Sequence, residues 1–549
     1  MKVNFREFLR RGDPAIWFAG TGLGIAVLMI TGMIALILWN GLGFFWPKPL
    51  TELTLKDGTI VMGEVSAREA IPAPGTAEHL KRFRVQLKLG NRDVTGSDFQ
   101  WINEDQIASR STPGDAVYVE RRDYGPFIGK PVRLVEGVQE VAAGADAVLA
   151  ALPGYLRRAK EQRDALRTLE LDDIGGVNYR IEQARLRARR LDFDAARQPG
   201  VDQTQERAAI EQELKTLQAE YAELEQRLGQ LTAEADNSRL TLKTAGGEEK
   251  DLHTVHVYRL YAANRLSLPG RARVYAGRLW EFLSGDPRES NTEGGVFPAI
   301  FGTVMMVMLM SVVAVPFGVL AALYLREYAR QGVLVRLVRI AVNNLAGVPS
   351  IVFGVFGLGF FVYLIGGSLD QWLYPERLPT PTFGTGGILW ASLTLGLLTV
   401  PVVIVASEEA LAAVPRSMRE ASLATGATKF QTILRVVLPA AAPGILTGLI
   451  LAMARGAGEV APLMITGVVK LAPDMPLDSF FPFLHLERKF MHLGYHIYDV
   501  GFQSPNVEAA KPMVYATAVL LLLIVVLLNL TAIIVRNRLR KKYRTSAFA

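Results

Sequence analysis

The sequence predicts an all-α polytopic membrane protein of six transmembrane helices, interrupted by an inserted extracytoplasmic region that is β-rich and then helical coiled coil. Three observations carry this prediction. Six apolar runs are long enough to span a bilayer, whose core needs roughly 20 apolar residues per helix. More than 200 mostly polar residues separate the first run from the second. Four basic segments fall on one side of the membrane when six spans are counted. The composition agrees, being 50% hydrophobic yet still 21% charged, a mixture of spans and water-exposed chain.

The first run lies between Asp13 and Lys48. Lys2, Arg6, Arg10 and Arg11 precede it, as in a signal peptide, but the run continues to about Phe45 and no small-residue cleavage site closes it, so a retained anchor is expected. The next three lie between Glu293 and Arg326, Arg339 and Asp370, and Arg377 and Glu408. The fifth follows Arg435 and is interrupted by Arg455 and Glu459; the sixth lies between Lys511 and Arg536. The N-terminus, Arg326 to Arg339, Arg416 to Arg435 and Arg536 to Arg544 are basic and share a side, which the positive-inside rule makes the cytoplasm. The insert then faces the periplasm.

The predicted organisation is a cytoplasmic N-terminus and first span over 1–47, a β-rich domain over 48–139, a helical hairpin over 140–245, a connector over 246–292, a core of five spans over 293–536 and a cytoplasmic tail over 537–549. The β assignment rests on alternation in Thr51 to Leu55 and Phe83 to Leu87, with turns at Asp57-Gly58 and Gly90-Asn91. The hairpin rests on Ile210, Leu214, Leu217, Tyr221, Leu224, Leu228 and Leu231, spaced four and three in alternation. Tyr155 to Leu191 offers an antiparallel partner, broken at Gly175-Gly176. Such a helix projects about 40 Å over 27 residues. It either packs on itself or reaches a partner.

Several functions are excluded or disfavoured. The chain has no cysteine, so disulfides and thiolate sites are out. The net charge of +7 is modest, and the basic residues flank apolar runs, so no nucleic-acid partner is expected. His485, His492 and His496 match no strong ligand spacing and read as ordinary loop histidines, with no metal site. No Gly, four residues, Gly-Lys-Ser/Thr sequence occurs, so ATP hydrolysis belongs to another chain and no cofactor is expected on this one. Lys429 and Arg435 read as solvated or partner-facing charges, and Ser407-Glu408-Glu409 as an interfacial cap.

The loop after the fourth run reads Glu420-Ala421-Ser422, three residues, Gly426, nine residues, Val436-Val437-Leu438-Pro439. A short helix with a low face at Ala421 and Ala424 is expected, started by Glu420 through the helix dipole and broken at Gly426. This resembles the EAA loop of ABC importer permeases, with Ser422 in place of the second Ala and Val436 in place of Ile. The resemblance implies a type I importer permease fold. It also implies that Glu420, Ala421, Ser422, Gly426, Leu438 and Pro439 couple the chain to an ATPase subunit.

Further stretches resemble the A-type permeases of phosphate-specific (Pst) importers. They are Gly294 to Ile300, Ala346-Gly347-Val348-Pro349-Ser350 to Gly354, Pro443 to Gly448, and Gly458-Glu459-Val460-Ala461-Pro462-Leu463. The family more often has Thr at the position of Val460. The resemblance covers about 290–535 and the first span, not the insert. It implies a second homologous permease, two ATP-binding subunits and an extracytoplasmic phosphate-binding protein as partners. Arg455 and Glu459 are ionisable groups in a span, which tend to mark transport paths. An arginine can grip an oxyanion bidentately, and a carboxylate beside it can accept the proton that phosphate keeps and sulfate lacks. The alternative is a structural ion pair. The function expected is phosphate import; molybdate or sulfate cargo, or an envelope adaptor built on the coiled coil, remain open.

Overall fold

The computed structural model describes residues 13–71, 82–197, 202–504 and 506–545. The basic N-terminal residues Lys2, Arg6, Arg10 and Arg11 lie outside these. Among the described residues, six helices are long and apolar enough to cross a membrane: Ile16–Gly43, Phe297–Tyr328, Ser350–Leu373, Ile388–Ala412, Lys429–Gly458 and Val507–Lys541, called spans one to six. Spans two, four and five form the packed centre, where Met306, Met310, Leu395, Leu398, Met453 and Ala457 are buried together. Small residues let the backbones approach. A Cβ on Gly444 would stand 2.4 Å from Ala410 Cβ, and one on Gly448 would stand 2.7 Å from Ala406 Cβ. Span one is peripheral. Its residues are exposed along most of their length, and it touches span six closely at Gly41, against Val519 and Tyr515. The helix of span six runs on to Thr545, so most of the expected tail is helical.

The insert holds two antiparallel sheets. Strands β1 (Leu50–Leu55), β2 (Ile60–Ala70), β3 (Phe83–Lys88), β4 (Phe99–Asn103) and β5 (Ile107–Ser111) make the first, in the order β4-β3-β2-β1-β5. The second contains β6 (Val117–Arg121), β7 (Phe127–Glu136), β8 (Gln139–Ala143), β9 (Ser238–Lys243), β10 (Glu249–His253) and β11 (Val257–Tyr261), in the order β10-β9-β7-β6-β11 with β8 also on β7. The last three strands correct the expected boundaries. They lie in the stretch assigned to hairpin and connector, and the boundary at 245 falls inside the β9–β10 hairpin. Each has five or six residues and buries only a few side chains, among them Leu240, Leu242, Leu252 and Val257. So short an alternation is faint beside a 32-residue helix.

The helical region is therefore an excursion from within the second sheet. It leaves after β8 as a first arm helix (Ala145–Thr168), whose Val148 and Leu152 pack on the sheet. A π-type segment, Leu169–Ile174, joins it to a second arm helix (Gly175–Arg197). The break expected at Gly175-Gly176 does not occur, since Gly175 keeps helical angles of φ −56° and ψ −42°. Glycine permits a break but does not force one, and here Val177 and Ile181 bury against Leu217, holding the helix. The third arm helix (Thr204–Ala235) lies antiparallel to the second. Its seam residues Ile210, Leu214, Leu217, Tyr221 and Leu224 face Val177, Ile181, Ala184 and Leu191.

The hairpin also leans on the membrane core. Tyr179 stacks on Phe480, with centroids 5.2 Å apart, and its hydroxyl donates to the Phe481 carbonyl at 2.5 Å. The second arm helix packs on residues 375–377 between spans three and four. At the other end of the insert, an amphipathic helix, Leu268–Ser284, is capped by Ser267 and buries Phe282 with Phe45, Val296 and Met513.

Candidate functional site

The loop after span four folds into a nine-residue helix, Arg416–Ala424, here called the coupling helix. It ends in a Schellman motif. The Gly426 amide donates to the Leu423 carbonyl at 3.0 Å and the Ala427 amide to the Ser422 carbonyl at 3.3 Å. Gly426 has φ +84°, a left-handed conformation, and no heavy atom lies within 4 Å of where its Cβ would be. Its requirement is conformational, with no close approach inside this chain. Glu420, Ala421, Leu423 and Ala424 are exposed, and Phe430 beside them is 64% exposed. The result is a low apolar face with one carboxylate.

Two expectations need correction. Glu420 is the fifth residue of the helix, past the first turn, so its carboxylate is poorly placed to help the helix start. Leu438 and Pro439 are not on the coupling face; they belong to span five, half-buried, just after a π-type segment, Ile433–Val437. That segment loosens the ladder where Pro439 supplies no N–H. Ser422 does reach toward the span, with Oγ 2.9 Å from Thr432 Oγ1. Thr428 and Gln431 form a reciprocal capping box that starts span five.

Sequence reasoning missed what holds the coupling helix. Arg419 pairs with Glu327 at the end of span two at 3.0 Å and donates to the Val414 and Leu411 carbonyls at 2.6 and 2.8 Å. Lys429 is exposed, yet its Nζ also donates to the Glu327 carbonyl and lies 4.9 Å from the Tyr328 ring centroid. Glu408 pairs with Arg339 at 3.1 Å, so it ties span four to the helix Val333–Leu345 between spans two and three and does not act as a cap. Partners 92 and 69 residues apart leave no local signal in the sequence.

Arg455 and Glu459 lie at the opposite end of span five. The span begins at Lys429, so Arg455 is about 39 Å further along the axis at 1.5 Å per residue. Arg455 is in the last turn, and Glu459 is the residue after the helix, with extended angles of φ −78° and ψ 133°. This corrects the expectation that both sit inside the span. The sequence spacing is i,i+4, but the helix ends between the two, so they are not a pair on one helical face. Arg455 Nε stands 3.6 Å from Glu459 Oε1, beyond hydrogen-bond distance, and the two side chains are 33% and 21% exposed. Among the described residues, neither makes a hydrogen bond to another side chain or to the backbone. Among the described residues, a guanidinium fork and a carboxylate are thus paired only with each other, at the insert-bearing end of the core.

The three histidines are buried and structural. His485 lies between Asp478 and Glu487 at 3.0 and 3.2 Å. His492 Nδ1 accepts from the Gly494 amide at 3.1 Å. Burial pushes the His492 imidazole down to about 3 and, with Lys470 nearby, that of His496 down to about 4. No group of three or more metal-ligating side chains suited to an ion is found among the described residues.

Comparison with known proteins places this geometry. Residues 314–545 match the family model of the binding-protein-dependent transport system inner membrane component. The chain is 37% identical over 187 residues to the phosphate transport system permease protein PstA 1 of Mycobacterium tuberculosis (strain CDC 1551 / Oshkosh), covering 34% of this chain and 55% of that one. It is 34% identical over 189 residues to the probable phosphate transport system permease protein PstA of Methanocaldococcus jannaschii, covering 34% and 60%. It is 30% identical over 237 residues to the probable ABC transporter permease protein YqgI of Bacillus subtilis (strain 168), covering 42% and 74%. The chain thus spans little more than half the length of the first of these relatives, and the family match begins beyond the insert. The chain belongs to the inner-membrane permeases of ABC transporters.

Proposed function

We propose that this chain is the permease subunit of an ATP-driven importer that moves inorganic phosphate across the cytoplasmic membrane. The observation that supports the reading is the Arg455–Glu459 ion pair at the insert-bearing end of span five, with no other partner for either side chain among the described residues. The guanidinium presents parallel N–H donors to two phosphate oxygens, and Glu459 accepts the proton that phosphate retains at neutral pH. The charge pattern favours phosphate over sulfate, which would meet the carboxylate with no proton to offer. The names of relatives from Mycobacterium tuberculosis and Methanocaldococcus jannaschii point to the same cargo.

The proposed assembly has a second homologous permease, two ATP-binding subunits and an extracytoplasmic phosphate-binding protein. The coupling helix seats its low face in an ATP-binding subunit. Closure of the ATP-binding subunits is passed through Arg419 to span two and through Ser422 to span five, whose last turn carries Arg455. The parity of the spans, with the basic loops on the cytoplasmic side, supports a periplasmic insert. There the hairpin, resting on the loops between spans three and four and spans five and six, lies beside the surface that the binding protein must approach. An adaptor whose hairpin works away from the core is disfavoured by the Tyr179 contact with Phe480 and Phe481.

The test is phosphate uptake by cells carrying Arg455→Gln at normal membrane abundance. The account expects uptake to fall at least tenfold, with Glu459→Gln weakening discrimination against sulfate. Undiminished phosphate uptake in Arg455→Gln would reject the assignment.

A further inference from the structure

A second site lies away from the transport pair. A cavity of about 730 Å³ opens where the two sheets meet the ends of spans one, two and six on the insert-bearing side, within the size range of small-molecule sites. One part of it is unsatisfied. Asp98 is 8% exposed; its Oδ2 accepts from Asn506 Nδ2 at 2.6 Å and lies 3.9 Å from Arg92 Nη1, but its Oδ1 is buried without a partner. The side chain of Glu293, four residues before span two, has no hydrogen-bond or ion-pair partner among the described residues, and burial pushes its carboxyl up against the opposing charge of Lys88 and Arg288. Both oxygens converge: a Cβ on Gly125 would stand 3.7 Å from Asp98 Oδ1 and 3.9 Å from Glu293 Oε1. The same cavity also holds Arg92, 3.9 Å from Asp98, and Arg288, whose Nε and Nη1 are buried without partners, yet none of these donors reaches Asp98 Oδ1. A buried acceptor left unpaired beside a second carboxylate is satisfied by a ligand that brings N–H groups.

The other part of the cavity is basic and lies at the membrane boundary. Lys48, five residues after the end of span one, is exposed and has no partner among the described residues. Lys511, in the first turns of span six, is 62% exposed and has only a 3.9 Å contact with Glu508. Trp39 of span one, Trp46 and Tyr515 of span six add aromatic wall, the residue types that settle at the headgroup level of bilayers. A ligand matching this layout is a zwitterion, with an amine for Asp98 and Glu293 and a phosphate for Lys48 and Lys511. Its apolar remainder lies along spans one and six.

We propose that this cavity binds the headgroup of an aminophospholipid of the phosphatidylethanolamine type, clamping the insert to the membrane core. The test uses the full chain, purified with its membrane partners, washed in detergent and analysed for retained lipid by mass spectrometry. Wild type should keep phosphatidylethanolamine in preference to phosphatidylglycerol. Glu293→Gln should lower that retention about tenfold, the size of one charge-assisted contact. Lys48→Gln, at an exposed position that the fold does not need, should lower it several-fold. A parallel arm adds soluble phosphoethanolamine. Displacement of the lipid only at high excess supports the lipid as the source; soluble phosphoethanolamine binding as tightly as the lipid overturns that source. Equal retention of phosphatidylglycerol, or retention unchanged in both variants, overturns the proposal.

Discussion

Replacing Gly426 by Ala isolates a single physical effect. The glycine sits at φ +84° in the Schellman motif that ends the coupling helix, and the space around its Cβ position is empty to 4 Å. Ala therefore adds no clash within the chain. What remains is the left-handed backbone penalty, about 1 to 2 kcal/mol for an L-residue. Asn carries much less of it, because its side chain hydrogen-bonds locally in that conformation. A penalty near 1 kcal/mol lowers the population of the intact helix end roughly fivefold, and docking of the ATP-binding subunit should weaken in proportion. The assay is affinity of that subunit for the reconstituted permease, with transport-coupled ATP hydrolysis as a second readout. Gly426→Ala should lose about fivefold, Gly426→Asn less than twofold, and the melting temperature of the chain should barely move. If Asn were as damaging as Ala, a partner approaching the glycine would be the cause, and the conformational argument would fail.

Other expectations follow from the same packing. Arg419→Ala removes the pair with Glu327 and two donations to carbonyls; at 20% side-chain exposure this should loosen the loop locally by about 2 kcal/mol. Limited proteolysis between 413 and 437 should quicken while spans stay protected, and an unchanged cleavage rate would contradict the anchoring role. Tyr179→Ala removes the ring stack and the bond to Phe481, so hydrogen exchange over 478–484 should rise several-fold, whereas Tyr179→Phe should give a smaller rise. Asp93 carries the pH expectation for the insert: burial alone would raise its carboxyl, but hydrogen bonds and charge from Arg121, aided by Lys250, hold it below the ordinary 3.8. A depressed folded value stabilises above the unfolded value, so stability should be flat at neutral pH and fall as pH drops below about 3.8. Asp93→Asn should flatten that fall in an acid titration followed by circular dichroism.

What the sequence made legible followed from period and polarity. Six spans were readable because each is a long run with a single requirement, burial in lipid. The seam from Ile210 to Leu224 was readable because its spacing repeats over several turns. Gly426 was readable because glycine at a helix end has one common cause. Strands β9 to β11 were not, since five or six residues with a few inward side chains look like any loop; β9 and β11 pair with β7 and β6, more than 100 residues earlier, and β10 pairs only with β9. The hinge at Gly175-Gly176 was misread because tertiary burial of Val177 and Ile181 outweighs glycine's local cost. The Arg455 and Glu459 residue types pointed to a site, but only coordinates reveal that the helix stops between them. Asp98 and Glu293, 195 positions apart, converge only in three dimensions.

The proposed function requires the coupling helix to face the cytoplasm and the insert to face the opposite side. The chain contains no cysteine, so single thiols report cleanly. Ala424→Cys on the coupling helix and Val138→Cys at the fully exposed turn between β7 and β8 can be probed in intact spheroplasts with a membrane-impermeant maleimide. Labelling is expected at 138 at once and at 424 only after the membrane is opened. Labelling at 424 in sealed spheroplasts would contradict it.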